Sequence, residues 1–402
     1  MKSTHLKAYK FRIYPEGEQI NFLVRQFGCC RFVYNYALEL RQKTYEETGK
    51  SLSYYDTAKM LPVLKSRQET GWLGEVIAQP LQMAMQNVED SYKRFFKGQN
   101  RYPRFRCRSD RQCFKLPQGF RVEGDLLWLP KLKTGIRIKI SRQIKGKILY
   151  LHLSRTTTGN YYVSFTCEVP REILAGTGKD TGVDVGIKDA AILSDGTRYE
   201  NIKPLKTLEK KLKHRQRQLS KKQKGSKSRK RQRRIVARLH ERIKNLREDH
   251  LHKITTDIVK NHDCVAVEDL AVKNMLKNHC LAKSLSDASL GKLLTQLEYK
   301  CNWYGRKFVK VDRFFPSSKT CHVCREKKEN LTLADRAWTC SCCHTTHDRD
   351  VNAARNILRE GLKILSGCGA QSDTKQKQAE AFPLGESVKP EAKAMQKEKP
   401  DA

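Results

Sequence analysis

The sequence predicts a multidomain fold of α/β, α and β parts, and three observations predict it. The apolar period changes along the chain, from two-residue alternation at 6–14 to helical spacing within 17–100 and back to alternation across 121–170. Two CxxC pairs, Cys321-His-Val-Cys324 and Cys340-Ser-Cys-Cys343, stand with fifteen residues between them and mark a small metal-binding knuckle. Acids stand where apolar strands end: Asp184 in Val183-Asp-Val-Gly and Glu268 in Val265-Ala-Val-Glu.

Taken in order, residues 6–14 alternate apolar and basic side chains as a strand does, and Pro15 ends them. Several helices follow to residue 100, among them Gln19 to Glu47 and, after a turn near Gly71, Pro80 to Phe96. Arg101-Tyr-Pro-Arg-Phe-Arg106 is a basic, aromatic connector. Short strands then fill 121–170: Ile136, Ile138 and Ile140 alternate with basic residues, Leu149, Leu151 and Leu153 with Tyr150 and His152, and Gly159-Asn160 turns the chain into Tyr161 to Val169. A small basic-faced sheet of this kind suits a nucleic-acid backbone or is an ordinary β domain. Residues 182–200 read as a strand hairpin, 204–260 as helix broken at Gly225-Ser226, and 262–270 as a buried strand. Helix is expected at 290–305 and 350–365, with a strand at 307–313 between them. From Ser366 the chain is polar and low in apolar residues, the composition of a disordered tail.

Charge narrows the partners. Across 402 residues, 80 Lys and Arg face 43 Asp and Glu, a formal charge of +37. Such self-repulsion implies a polyanion, nucleic acid before an anionic membrane. Nineteen of the basic residues lie between Lys206 and Arg247, where Lys221, Lys222, Arg229, Arg231, Arg233 and Arg234 are candidate phosphate contacts. Met1 to Ile20 carries no apolar leader, and no run approaches the ~18 apolar residues of a membrane span. A soluble, cytoplasmic chain with no membrane partner is therefore expected. With 14 cysteines in so long a chain, reduced thiols and metal binding fit better than a disulfide framework.

The two CxxC turns can present four thiolates to one tetrahedral zinc, leaving no open position for catalysis. Cys342 sits inside the second pair, but Cys343 keeps the spacing and is the preferred ligand; His322, His344 and His347 read as bystanders. Among the acids, an aspartate within an apolar strand is costly without a metal or partner, which singles out Asp184. Asp350 opens Asp350-Val-Asn-Ala-Ala-Arg-Asn-Ile and, taken alone, reads as a helix N-cap. Taken together, Asp184, Glu268 and Asp350 can converge from two strand ends and a following helix. Three carboxylates can hold two hard cations about 3.5–4 Å apart, the arrangement that hydrolyses phosphodiesters.

Gly182-Val-Asp-Val-Gly-Ile-Lys-Asp189, Val267-Glu268-Asp-Leu, Phe315-Pro-Ser-Ser-Lys-Thr-Cys321 and His347-Asp-Arg-Asp-Val-Asn-Ala-Ala-Arg-Asn-Ile357, with the CxxC pairs, resemble TnpB. TnpB is the OrfB protein of insertion sequences and is similar to the compact ancestors of type V CRISPR effectors. The resemblance runs over residues 5–365. It implies a RuvC (RNase H-like) nuclease domain at 179–316 and 346–365, a zinc ribbon at 317–345, a β-barrel wedge domain at 1–15 and 101–178, a helical recognition lobe at 16–100 and a tail at 366–402. It further implies two magnesium ions on Asp184, Glu268 and Asp350, and one structural zinc. The expected partners are a guide RNA from the transposon end and double-stranded target DNA, cut beside a short flanking motif by a monomer bound to its RNA. Tyr54 and Gln82 occupy positions similar to flank-reading residues of the family. The alternatives are an RNA-guided DNA-binding regulator of transposition and, more weakly, a strand-joining transposase.

Overall fold

The basic–apolar alternation at the N-terminus forms β1 (Thr4–Tyr14), which buries Tyr9, Phe11 and Ile13 on one face. Three helices follow: α1 (Gly17–Thr48), α2 (Tyr54–Ser66) and, after a 3-10 turn at Gly71–Gly74, α3 (Ala78–Phe96). Then come β2 (Gln112–Leu116), β3 (Arg121–Glu123), β4 (Leu126–Trp128), β5 (Ile136–Lys139), β6 (Lys147–Arg155) and β7 (Tyr161–Pro170). The seven strands make one antiparallel sheet in the order β2-β6-β7-β1-β5-β4-β3, with the N-terminal strand in its middle. Its edge strands, β2 and β3, do not pair with each other, so the expected barrel is an open sheet in its hydrogen bonding among the described residues. The sheet and the helices share one continuous core, in which Phe11 and Phe165 meet Leu23 and Phe27 of α1 and Leu81 and Met85 of α3. The structure, a computed structural model, describes residues 4–332 and 334–367.

A second core belongs to a five-stranded sheet. Its strands are β8 (Asp180–Asp184), β9 (Asp189–Leu193), β10 (Arg198–Glu200), β11 (Cys264–Glu268) and, further on, β12 (Lys307–Val311). Their order is β10-β9-β8-β11-β12, antiparallel from β10 to β8 and parallel from β8 to β12. Between β10 and β11 run α4 (Pro204–Ser220) and α5 (Lys227–Asn261), packed on each other through Leu212, Val236, Leu239 and Ile243. Between β11 and β12 run α6 (Val272–Met275), α7 (His279–Ala288) and α8 (Leu290–Tyr304). A short hairpin, β13 (Ala337–Thr339) with β14 (Thr346–Asp348), passes directly into α9 (Arg349–Gly367). The hairpin's second strand ends at Asp348, immediately before α9. Of the expected tail, Ser366 and Gly367 end α9, and 368–402 lie outside the described residues.

Both faces of this sheet are covered, which is why β11 reads as an unbroken apolar run. Val265 and Val267 join Ile254, Ile258, Leu293 and Leu297 from α5 and α8. Ala266, one step out of phase, joins Ile357 of α9. Close approach of α9 requires glycine at Gly182, where a Cβ would overlap the Ala354 carbonyl and the Leu358 amide. Gly361 answers from the helix side, where a Cβ would collide with that of Ala266.

Candidate active site and metal centre

Strand alternation decides where the acids point. Val183 and Val267 are register partners on parallel β8 and β11, and both belong to the core beneath α5 and α8. Asp184 and Glu268 are the next residues on each strand, so they turn to the face that α9 covers. There α9 presses Ala354 onto Gly182, and one turn earlier it carries Asp350. The Asp184 carboxyl is pushed up to about 8, first by burial and then by the charges of Glu268 and Asp350, with Arg349 opposing. Burial also raises Glu268, against a hydrogen bond donated to it by the Ser317 hydroxyl. The three carboxylates are not drawn into one tight knot. Among the described residues, the four thiols described below are the one group of at least three His, Cys, Asp or Glu whose ligand atoms all lie within 4.8 Å of one another.

The cap of α9 is Asp348, not Asp350. Its Oδ1 accepts the backbone N–H of Asp350 at 3.1 Å and of Val351 at 3.0 Å, satisfying two orphan donors of the first turn. That leaves the Asp350 carboxylate to the site, with Arg336 Nη1 at 3.7 Å. Asp348 is itself held: Arg198 of β10 donates to its Oδ2 at 2.8 Å and to Asp189 Oδ2 at 3.2 Å. One guanidinium therefore joins the hairpin that carries Asp184 to the helix end that carries Asp350. Two asparagines of α9 hold the chain at 317–322, which leads into the thiol cluster. Asn356 donates to the Ser317 carbonyl at 2.8 Å, and Asn352 donates to that of Thr320 at 2.8 Å while accepting from His322 N–H at 3.0 Å. Ser317, so fixed, reaches Glu268. Arg198, Ser317, Asp348, Asn352 and Asn356 were not among the expected site residues, although the Asp-Arg-Asp and Pro-Ser-Ser strings that carry two of them are visible in the sequence.

Cys321, Cys324, Cys340 and Cys343 form the tight thiol cluster, with Sγ–Sγ separations of 3.6 Å for Cys321–Cys343 and 3.4 Å for Cys324–Cys340. The two halves repeat one turn. Arg325 N–H bonds the Cys321 carbonyl, as His344 N–H bonds that of Cys340, each at 3.1 Å. Arg325 and His344 both take positive φ, 75° and 53°. Four convergent sulfurs are the donor set of a closed tetrahedral zinc site. Cys342 is exposed and outside the cluster. His347 is no bystander in packing: it is buried, with Nε2 3.1 Å from Cys321 Sγ and its ring against Trp338 and His322.

The expected nucleic-acid contacts divide. Lys221, Arg231, Arg233 and Arg234 are exposed on the α4–α5 hairpin. Arg229 instead donates to the Leu219 and Lys222 carbonyls at 2.8 and 2.6 Å, closing the end of α4, and Lys222 Nζ donates to Ser228 at 2.7 Å. Those two side chains hold the turn together. Tyr54 opens α2, half-buried against the first core with its ring edge-on to Tyr55, and Gln82 is exposed on α3.

Comparison with known proteins follows the same division. Family models match three stretches: OrfB_IS605, described as "Probable transposase", over 164–279; the TNB domain of Cas12f1-like proteins over 291–357; and a helix-turn-helix domain over 1–50. That last stretch folds here as β1 and one unbroken helix, α1. A Streptomyces pristinaespiralis protein provisionally named an RNA-guided DNA endonuclease is 40% identical over 367 residues, 90% of this chain and 91% of its own. InsQ of Escherichia coli (strain K12), under the same provisional name, is 35% identical over 90% of this chain and 94% of its own. Among solved structures, the cryo-EM structure of a Cas12f1-sgRNA-target DNA complex matches with a TM-score of 0.55 at 16% identity, covering 88% of this chain and 98% of that one, a likeness of fold.

Proposed function

Because this chain belongs to the TnpB (OrfB) family, as its relatives at 40% and 35% identity do, we propose that it is an RNA-guided DNA endonuclease of a transposon. Its nuclease is the five-stranded sheet with α9, read as a RuvC-type, RNase H-like domain carrying a zinc ribbon. The seven-stranded sheet is read as the wedge and α1–α3 as the recognition lobe. The observation that carries the reading is that β8 and β11 turn Asp184 and Glu268 to the face where α9 carries Asp350, with the Asp184 carboxyl raised first by burial and then by the charges of the other two. A proton held that high marks a site built for a cation and costly to leave without one.

Asp184, Glu268 and Asp350 would hold the ions, and Cys321, Cys324, Cys340 and Cys343 the structural zinc. When bound, a magnesium pair polarises the scissile phosphate and activates the attacking water. The chain's own part is placement. Ser317 fixes the Glu268 carboxylate, Asp348 frees that of Asp350, and the α4–α5 hairpin offers exposed cations to phosphates without reading sequence. A guide RNA from the transposon end supplies sequence choice by base pairing, and contacts near Tyr54 and Gln82 read the flank. The reading is of a monomer bound to its RNA in the cytoplasm. Among the described residues, no helix is long and apolar enough to cross a membrane.

The test is cleavage of a plasmid library by the chain purified with its RNA, with magnesium. Wild type cuts both strands, Asp184→Ala does not, and RNase abolishes specific cutting. Equal cutting by Asp184→Ala would overturn the site. Specific binding without any cutting by wild type would make the chain a guided DNA-binding regulator instead.

A further inference from the structure

The connector after α3 carries chemistry that the nuclease reading does not use. From Lys93 to Arg108 the chain holds seven basic residues, Phe95, Phe96, Tyr102 and Phe105, and no acid. Such interleaving of rings and cations is the composition of a stacking surface for unpaired bases.

The structure gives that composition a shape. Helix α3 ends in a tight reversal at Gly98, which has φ +66° and donates to the Phe95 carbonyl at 2.9 Å, while Gln99 N–H bonds that of Arg94 at 2.9 Å. The chain doubles back and brings Tyr102 onto the helix. Its ring stands edge-on to Tyr92 at 5.7 Å and to Phe95 at 5.2 Å, and its hydroxyl lies 3.1 Å from that of Tyr92. Tyr92 is braced from behind by Arg41, whose guanidinium lies 4.6 Å from the ring centroid. Pro103 is buried and pins the return strand, and Asn35 of α1 bonds both backbone groups of Arg106 at 2.8 and 3.0 Å. On this fixed base the outer rings stay in solvent: Phe96 is 77% exposed, Tyr102 49% and Phe105 45%. Exposed aromatic rings mounted on a rigid base are unusual for a surface with no partner.

We propose that Phe96, Tyr102 and Phe105 form a platform on which unpaired RNA bases stack, with Arg94, Lys97 and Arg101 taking the adjoining phosphates. The inference rests on the reading that the chain carries an RNA. RNA rather than DNA is the occupant because a chain that carries its RNA holds unpaired bases before it meets a target, whereas double-stranded target DNA offers none until it is opened.

The experiment uses the full chain. Phe96→Ala/Phe105→Ala removes two exposed rings and leaves the core untouched. Affinities are measured for a single-stranded RNA 12-mer, its DNA counterpart and a blunt RNA duplex at raised salt, where stacking outweighs phosphate attraction. The double variant is expected to bind the single-stranded RNA about tenfold more weakly, with an unchanged melting temperature and the duplex little affected. Phe96→Tyr/Phe105→Tyr should restore binding. Photo-crosslinks from 4-thiouridine in the co-purified RNA should fall within 93–106. Unchanged RNA affinity, an equal loss for duplex, or crosslinks that join this segment to target DNA instead would overturn the proposal. These readings need no cutting, so failure of the nuclease assignment shows separately, as a wild-type chain that binds RNA here but leaves DNA intact.

Discussion

Asp184 keeps its proton far above the usual 3.8 for an aspartate, to about 8. Between those values the folded chain binds a proton that the unfolded chain has released, so stability falls as pH rises through that window. Thermal unfolding without added divalent ions should therefore show Asp184→Asn gaining melting temperature over wild type near about pH 9 and little near about pH 5; an equal gain at both pH values would contradict the shift. Ser317 makes a second single-atom prediction. Ser317→Ala removes the hydroxyl that orients Glu268, and cleavage should slow by about tenfold, the worth of one hydrogen bond to a charged group. At this scale the sequence offers three acids that can converge and is silent about what holds them. Asp350 read alone as an N-cap, because a carboxylate before an apolar helix looks the same whether it caps or projects. Only the backbone amides of residues 350 and 351 turning to Asp348 separate the two.

At the scale of elements, the candidate site is one helix laid on one sheet. Gly182→Ala should prevent α9 from docking, because the new methyl meets backbone and not a side chain that can move. A loss of at least ~3 kcal/mol of stability in denaturant unfolding is expected. The guanidinium between Asp189 and Asp348 predicts coupling rather than simple loss. Arg198→Gln and Asp348→Asn should each raise the magnesium concentration needed for half-maximal cutting, and the double variant should cost no more than the worse single one; additive effects would mean that the two act separately. The helices and strands that build this arrangement were legible where the pattern was long or unbroken: α1, α5, α8 and α9 fall where helical spacing puts them, and β11 where a continuous apolar run does. The hairpin of β13 and β14 was not legible, since strands of three residues carry too little pattern. Nor was the openness of the larger sheet, because alternation reports which face is buried and not whether the edges meet.

At the scale of the whole molecule, the second core carries two excursions, a basic hairpin between β10 and β11 and a thiol cluster between β12 and α9. Stripping the metal from that cluster should loosen the chain segment that Asn352 and Asn356 bind, and with it Ser317 and Glu268. Chelation of zinc is expected to lower the melting temperature and abolish cutting, whereas Cys342→Ser, changing an exposed thiol outside the cluster, should leave both unchanged. A net charge of +37 further predicts that affinity for non-target nucleic acid falls steeply and log-linearly with salt. The position of β1 has a consequence for biosynthesis. This strand is paired in the finished sheet with 137–139 on one side and Tyr161 to Pro170 on the other, all made long after it. It must therefore wait, unpaired, through the translation of more than a hundred residues before its neighbours exist. Its Lys7, Lys10 and Arg12, set between apolar residues, keep that waiting segment from pairing with the wrong chain.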